Sequence, residues 1–369
     1  MSKILVINCG SSSVKYQLFN NKFKVLQKGL KEIRTEKADK MAYAKAFNEI
    51  VYELLKSKFI KNLDEIIAVG HRVVHGGEKF SKPVVINNVI IKELKKLCEL
   101  APLHNPANIE GILECKKLFP KAKQIAVFDT AYYSTLPEKA YLYALPYNLY
   151  TKQKIRRYGF HGTNHEYVVN EALKLMKTKK AKIVSCHMGN GISITASING
   201  KAIDTSMGFT PLEGVPMGTR SGDIDPAIIL HLIKTGIKPE KIDYILNHES
   251  GLKGLFGKSH MKDIWEASQK NNKRAKLTIE ILAYRIAKYI GSYTAAMNGL
   301  DALIFTAGMG EKAWYLREII CEYLAYLGVE IDKKKNKTNK DLMICDKKSE
   351  QYIFVIPANE ELAIAKHCQ

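Results

Sequence analysis

Arginine is scarce in this 369-residue chain, filling only eight of the 57 basic positions. Lysine supplies the other 49 and is spread along the whole length, so the formal charge is still +20. The planar guanidinium fork is the usual reader of phosphates and base edges. Dispersed lysine without it argues against nucleic-acid binding and points first to a solvated surface, second to an anionic substrate. Cysteine numbers seven, an odd set with no C-x-x-C pair. That excludes a zinc-finger spacing and favours free thiols in a reducing compartment. No apolar run approaches the ~18 residues of a membrane span. The first residues enter a short apolar strand without the apolar core of a secretory signal. A soluble, cytoplasmic protein with no membrane partner is expected. Apolar residues at 46% and charged residues at 25% exclude a disordered or fibrous chain. The length exceeds the ~250–300 residues that one core supports, so two domains are expected.

Short apolar runs alternate with helix-period segments, the pattern of an α/β protein. Strands are expected over 3–8, 14–19, 65–69, 123–128, 182–187, 192–198, 301–306 and 352–356. Asn105-Pro106 reads as an N-cap followed by a proline in the first turn of a helix through Leu118. A long helix is expected over 274–299, stopped at Asn298-Gly299. The lysine-rich stretch Lys333–Lys340 reads as an exposed loop. An internal echo organises the rest. Residues 3–19 form a strand, a small-residue turn and a strand, and residues 182–198 repeat that plan at an offset of 179, matching Lys3 with Lys182 and Gly10 with Gly189. A duplicated domain, with one glycine-bearing hairpin per half, follows.

The hairpins carry the first chemistry. Around Asn8 and Gly10 the side chains are small, so backbone N–H groups can approach a ligand and cradle phosphate oxygens. Lys15 stands nearby as a candidate phosphate charge. The second copy is His187-Met188-Gly189-Asn190-Gly191. A third strand–glycine–helix unit, Phe305 to Glu311, is a further candidate nucleotide loop. Gly251–Ser259 imitates a P-loop but has Leu252 where the spacing demands glycine, and no strand precedes it. Arg72 and Arg220 sit among glycines, in His71–Gly77 and Met217–Asp225, where tight turns can aim a guanidinium into a cleft. Two such groups would stabilise a moving phosphoryl group. His161, flanked by Phe160 and Gly162, can donate to the same phosphate. Its spacing to His165 also permits an i,i+4 metal pair, although no third ligand lies nearby. Asp129, ending a strand, and Glu360, opening the last helix, offer hard oxygen ligands for Mg²⁺.

Eight collinear segments together resemble the acetate kinase family. They are N-C-G-S-S-S-x-K at 8–15, H-R-V-V-H-G-G at 71–77, P-L-H-N-P at 102–106, F-D-T at 128–130, R-Y-G-F-H-G-T at 157–163, H-x-G-N-G at 187–191, M-G-T-R-S-G-D-I-D at 217–225 and N-E-E-L at 359–362. The resemblance implies an α/β fold of two duplicated actin-like ATPase (ribonuclease H-like) domains flanking a catalytic cleft. Residues 1–130 plus 358–369 would form the acetate and Mg²⁺ side, and 131–357 the nucleotide-binding domain. It implies reversible transfer of the ATP γ-phosphoryl to acetate, giving acetyl phosphate and ADP, with Mg²⁺ (or Mn²⁺) and a homodimeric assembly.

By the same resemblance, Asn8 and Glu360 hold the metal and Lys15 lies near nucleotide phosphates. Arg72 holds the carboxylate substrate, Asp129 matches the catalytic acid, and His161 and Arg220 match transition-state stabilisers. The ATP segments correspond to His187–Gly191, His260-Met261-Lys262 and Gly308-Met309-Gly310-Glu311-Lys312. Val74, Leu103, Phe160 and Pro211 match the pocket for the substrate methyl group. A carboxylate of pKa near ~4 is already ionised at neutral pH, so Asp129 is expected to position Mg²⁺ or substrate and not to remove a proton.

Some segments depart from the family. His260-Met261-Lys262 replaces a D-x-R element, Gly310-Glu311-Lys312 replaces G-E-N, Ala358 stands where P-T-N-E-E has threonine, and the stretch before His71 is shorter. Weak discrimination between nucleotide bases is expected. Three other readings differ from this one in definite features. A propionate kinase differs only in pocket width at Val74. A nucleic-acid-associated ATPase would need clustered arginines or aromatic platforms. In a non-catalytic assembly module, Arg72, Asp129 and Arg220 would have no purpose.

Overall fold

The computed structural model of the chain describes residues 2–10, 12–33, 40–102, 104–338 and 340–369. Two compact units emerge, each built around one sheet. The first comprises Met1–Ser134, Gly162–Asn164 and Asn359–Gln369; the second comprises Thr135–His161 and His165–Ala358.

In the first unit the strands are β1 (Lys3–Cys9), β2 (Ser13–Asn20), β3 (Val25–Glu32), β4 (Ile66–Val73), β5 (Val84–Val85) and β6 (Lys123–Phe128). They form a six-stranded sheet in the order β3-β2-β1-β4-β6-β5. Strand β1 pairs antiparallel with β2 and parallel with β4, and β4 pairs parallel with β6. Alternate residues of β1 point to opposite faces. Leu5 and Ile7 join a core with Tyr43 and Phe47 of the helix Lys40–Lys56. Ile4 and Val6 join another, closed by Ile364, Ala365 and Cys368 at the chain's end. Gly70 makes that second contact possible, because a Cβ there would lie 2.6 Å from Cys368 Sγ and 2.6 Å from Ile364. The last helix, Glu360–Lys366, is thereby seated on the sheet with Glu360 at its first position.

In the second unit the strands are β7 (Lys182–Met188), β8 (Ile192–Ile198), β9 (Lys201–Thr205), β10 (Ala302–Thr306) and β11 (Tyr352–Val355). Their order, β11-β10-β7-β8-β9, reproduces the first sheet's β6-β4-β1-β2-β3. The parallel pairs β10–β7 and β10–β11 and the antiparallel pairs β7–β8 and β8–β9 match as well. The hairpin echo in the sequence therefore extends to whole sheets. The helix Lys273–Met297 closes with Asn298 in the left-handed conformation. No helix among the described residues is long and apolar enough to cross a membrane.

All eight expected strands form, while β3, β5 and β9 were not anticipated. β3 has an alternating, mostly exposed pattern, and β5 spans two residues. Three local expectations are corrected. Strand β4 runs on to Val73, so Arg72 lies within a strand, opposite Val127, and not in the glycine turn that follows. Asn105 is the first residue of the helix Asn105–Leu118, not its cap. Lys333–Thr338 is helical, not a loop, because the Asp332 carboxylate accepts from the backbone N–H groups of Lys334 and Lys335, 2.9 and 3.0 Å away, and Asn336 is buried. The P-loop imitation is also helical, over Gly251–Phe256.

Candidate active site

In the first unit the site grows from the ends of β4 and β6. Asp129, the residue after β6, is fully buried, and its N–H donates to Val73 O at 3.0 Å. Arg72 donates to Asp129 Oδ2 from Nε at 3.0 Å and from Nη2 at 2.5 Å. Thr163 Oγ1 donates to Oδ1 at 3.2 Å, so both carboxylate oxygens are engaged. The chain approaches closely there. A Cβ on Gly162 would sit 2.2 Å from Asp129 O, whereas glycine lets its N–H donate to that oxygen at 3.0 Å. Arg72 also faces Glu360 Oε2 at 3.8 Å and reaches Asn8 Oδ1 at 3.4 Å from Nη1. Burial works against the guanidinium's charge, but the Asp129 and Glu360 carboxylates outweigh it and hold Arg72 charged more firmly than a free arginine. Lys15, on β2 opposite Asn8, is exposed.

Two asparagines one helical turn apart brace this wall. Asn105 accepts from His75 N–H at 3.1 Å and donates to His75 O at 3.0 Å. Asn108 accepts from Val74 N–H at 3.0 Å and donates to Cys9 O at 2.6 Å. They tie the segment after Arg72 to the end of β1. The sequence reading gives Asn105 only a capping role and singles out neither Asn108 nor Thr163. The buried asparagine pair in N-P-A-N was the available signal. Val74 is buried, and Leu103 lies outside the described residues.

In the second unit His161, His187, Gly191 and Arg220 converge. His161 has φ +59° and precedes the helix Gly162–Leu175. It therefore cannot form a helical i,i+4 metal pair with His165, whose Nδ1 lies 2.7 Å from Ser185 Oγ. The His161 ring stacks on that of His187, with centroids 4.1 Å apart and planes 14° from parallel. A Cβ placed on Gly191 would lie 3.3 Å from His161 Nε2 and 3.4 Å from Arg220 Nη1. Both groups thus border the space that glycine leaves empty. Arg220 Nη1 donates to Pro211 O at 3.2 Å and to the Met217 thioether Sδ at 3.7 Å. Both partners are neutral, and burial alone lowers its pKa. Phe160 is buried beside His161, and Ser193 Oγ donates to its carbonyl at 3.5 Å. Arg157, missed from sequence, donates to the carbonyls of Thr205 and Ser206 at 2.7 and 3.2 Å. It also pairs with Glu213 at 2.6 Å, steadying the strand that leads to Pro211.

The glycine loops lie around the same sheet. A Cβ on Gly189 would meet His187 Nε2 at 3.4 Å and Ala307 at 3.9 Å, which places the second and third loops side by side. Asn190 O accepts from Gly218 N–H at 3.1 Å, so the second loop also touches the Arg220 segment. Met188 is wholly buried within β7 and packs in the core. His260 is exposed and precedes the helix Met261–Gln269. Met261 is buried, with its carbonyl accepting from Tyr315 OH at 3.3 Å, and exposed Lys262 faces Glu266 at 3.8 Å. Met309 and Lys312 belong to the short helix Ala307–Lys312.

A model of the acetokinase family matches residues 3–366. The chain belongs to the acetokinase family. Among its curated relatives, the acetate kinase of Dictyoglomus thermophilum is 49% identical over 390 residues, covering 99% of this chain and 98% of the relative. That of Thermotoga maritima is 48% identical over 394 residues, covering 99% and 97%. Among solved structures, Porphyromonas gingivalis acetate kinase superposes with a TM-score of 0.91 at 41% identity, covering 99% and 98% of the two chains. A Francisella tularensis propionate kinase reaches 0.91 at 44%, covering 100% and 99%. The two sheets share strand order and pairing, a duplicated mixed α/β arrangement.

Proposed function

We propose that this chain catalyses reversible transfer of the ATP γ-phosphoryl group to acetate. A carboxylate oxygen of acetate bonds to the γ-phosphorus as the bond from that phosphorus to the β–γ bridging oxygen breaks. The products are acetyl phosphate and ADP, and no proton moves. The observation that carries this reading is the pair of side chains, His161 (by Nε2) and Arg220 (by Nη1), flanking the gap at Gly191. Arg220 is a desolvated cation whose hydrogen-bond acceptors are neutral. It is therefore available to an incoming anion and needs little reorganisation as charge moves on the phosphoryl group.

We assign Arg72 to the substrate carboxylate and Asp129 to orienting Arg72. With both oxygens of Asp129 engaged and an acceptor already ionised, no general base is required. Asn8, Asp129 and Glu360 present only oxygen donors, a set that suits a hard cation, and Asn8 and Glu360 would hold Mg²⁺. When bound, that ion supplies charge neutralisation to the nucleotide phosphates. In the second unit the loop His187–Gly191 and residues Gly308–Lys312 take the nucleotide. Val74, buried in the first unit, is assigned to the substrate methyl group. We place the enzyme in the cytoplasm, consistent with its seven free thiols. We further propose a homodimer. The helix Pro226–Lys234 buries none of its residues, and leaves Ile228, Leu230 and Ile233 exposed, an apolar face suited to a second copy.

The test is acyl-phosphate formation, trapped as the hydroxamate, with acetate, propionate and butyrate. Acetate should give the highest kcat/KM. A preference for propionate would make the chain a propionate kinase, and no acyl phosphate from any of the three would overturn the reading.

A further inference from the structure

Arg317 is the bulkiest fully buried side chain among the described residues. It sits on the helix Trp314–Tyr323, directly after the loop that ends at Lys312. Its Nη1 donates to Gly310 O at 2.7 Å and to Glu311 O at 2.9 Å. Its Nε donates to Asn336 Oδ1 and its Nη2 to Asn336 O, both at 2.8 Å. Asn336, also fully buried, donates from Nδ2 to Trp314 O at 3.0 Å. These acceptors are all neutral, and burial pushes the guanidinium pKa down to about 10.

Burying a charge against neutral carbonyls is an expensive way to satisfy them. Helix-end carbonyls are ordinarily met by water or a following glycine. What the planar fork adds is geometry, because one rigid group fixes two successive carbonyls and a second segment together. The loop needs such support. It begins at Ala307 with φ +65°, a conformation that costs a residue with a Cβ of order 1–3 kcal/mol. Its two glycines face opposite ways. A Cβ on Gly310 would lie 3.3 Å from Phe305 C, against β10, whereas one on Gly308 meets nothing within 4 Å. Glu311 is fixed as well, since its Oε1 accepts from Ala358 N–H at 2.9 Å.

We propose that Arg317, working with Asn336, is a positioning residue that clamps the back of the 307–312 turn so that its open Gly308 edge is held ready for the nucleotide. The inference rests on reading residues 308–312 as a nucleotide loop. It assigns the clamp to nucleotide binding and leaves the carboxylate side untouched.

The experiment compares Arg317→Met, Arg317→Lys, Asn336→Ala and Gly308→Val in the full chain by steady-state kinetics, ADP calorimetry and thermal melting. In Arg317→Met and Asn336→Ala the KM for ATP and the Kd for ADP should rise at least about tenfold, the scale of a small misplacement of binding groups. The KM for acetate should stay within about twofold, because uniform nucleotide binding is what was lost. Arg317→Lys should recover part of the loss. Gly308→Val tests the loop itself, since it fills open space without a clash. If it leaves the KM for ATP unchanged, the loop reading falls and the clamp with it. If it raises that KM while folded Arg317→Met and Asn336→Ala do not, the clamp alone is wrong. Should Arg317→Met fail to fold, Asn336→Ala decides by the same criterion. Failure of both to fold would make the pair a folding element and overturn the proposal.

Discussion

Replacing Arg72 and Arg220 by methionine should impair the reaction alike and affect stability differently. Both guanidiniums are assigned to anionic groups, and removing one preorganised donor costs on the order of 10²–10³ in turnover. Each variant should therefore fall at least ~100-fold in acetate-dependent kcat/KM. Their surroundings set the stability effect. Arg72 faces Asp129, which is fully buried, at 2.5 Å. Removing Arg72 strands a desolvated carboxylate, a defect of about 3–5 kcal/mol. At about 2–4 °C per kcal/mol for a domain of this size, the melting temperature should drop by roughly 6–20 °C. Arg220 leaves behind only a carbonyl and a thioether. Burial already disfavours its charge, so Arg220→Met should melt within about 0.5 kcal/mol of wild type, or slightly above it. Adding Asp129→Asn to Arg72→Met should restore most of the lost stability without restoring activity, because a neutral amide tolerates the site. Differential scanning calorimetry and the hydroxamate assay at a temperature below every transition give both quantities. If Arg220→Met melts as low as Arg72→Met, or if either variant keeps activity within threefold of wild type, the assignment of the two arginines is wrong.

Asp129→Asn alone should raise the Mg²⁺ requirement as well as depress turnover; loss of the acidic limb of the pH–rate profile with unchanged Mg²⁺ dependence would instead give Asp129 a proton role. GTP should support kcat/KM within about tenfold of ATP, about 1.4 kcal/mol, because exposed His260 and Lys262 replace a carboxylate and a guanidinium; a preference for ATP above a hundredfold refutes it. His71 and His75 are buried and held neutral, each with its pKa lowered to about 4 by desolvation. The unfolded chain then takes up protons first, so stability is full above about pH 6.5, falls as pH drops toward 4, and falls less in His75→Gln if melts are followed across that window. Leu230→Glu, on the exposed face of Pro226–Lys234, should shift sedimentation to the monomer; an unchanged coefficient places the interface elsewhere.

Much of the candidate site was legible in the chain. The glycine hairpins at 8–13 and 187–191, the strand ending before Asp129 and the helix opening at Glu360 are local patterns. Each is set by side-chain period and backbone freedom within a few residues. The duplication was legible for the same reason, and it extended from one hairpin to five strands of each sheet. The signal weakened where context decides. Lys333–Thr338 has the composition of a loop, yet it is helical, with Asp332 capping its start and Arg317 gripping Asn336. Asn105 has the identity of a cap, yet its amide is spent on the backbone of His75.

By itself, then, the sequence determined the strands, the glycine turns and the types of charged group available for phosphoryl transfer. Which charges meet was decided by tertiary structure. Arg72 and Arg220 look alike in the chain, both flanked by glycine and hydroxyl or β-branched neighbours. Folding brings a carboxylate from 57 residues away against Arg72, and only a carbonyl and a thioether against Arg220. The same holds for Arg317, whose sequence neighbours give no hint that it will be buried against Gly310 and Asn336. Periodicity reports the local backbone, whereas a charge's energy depends on the partners and the solvent that the whole fold leaves around it.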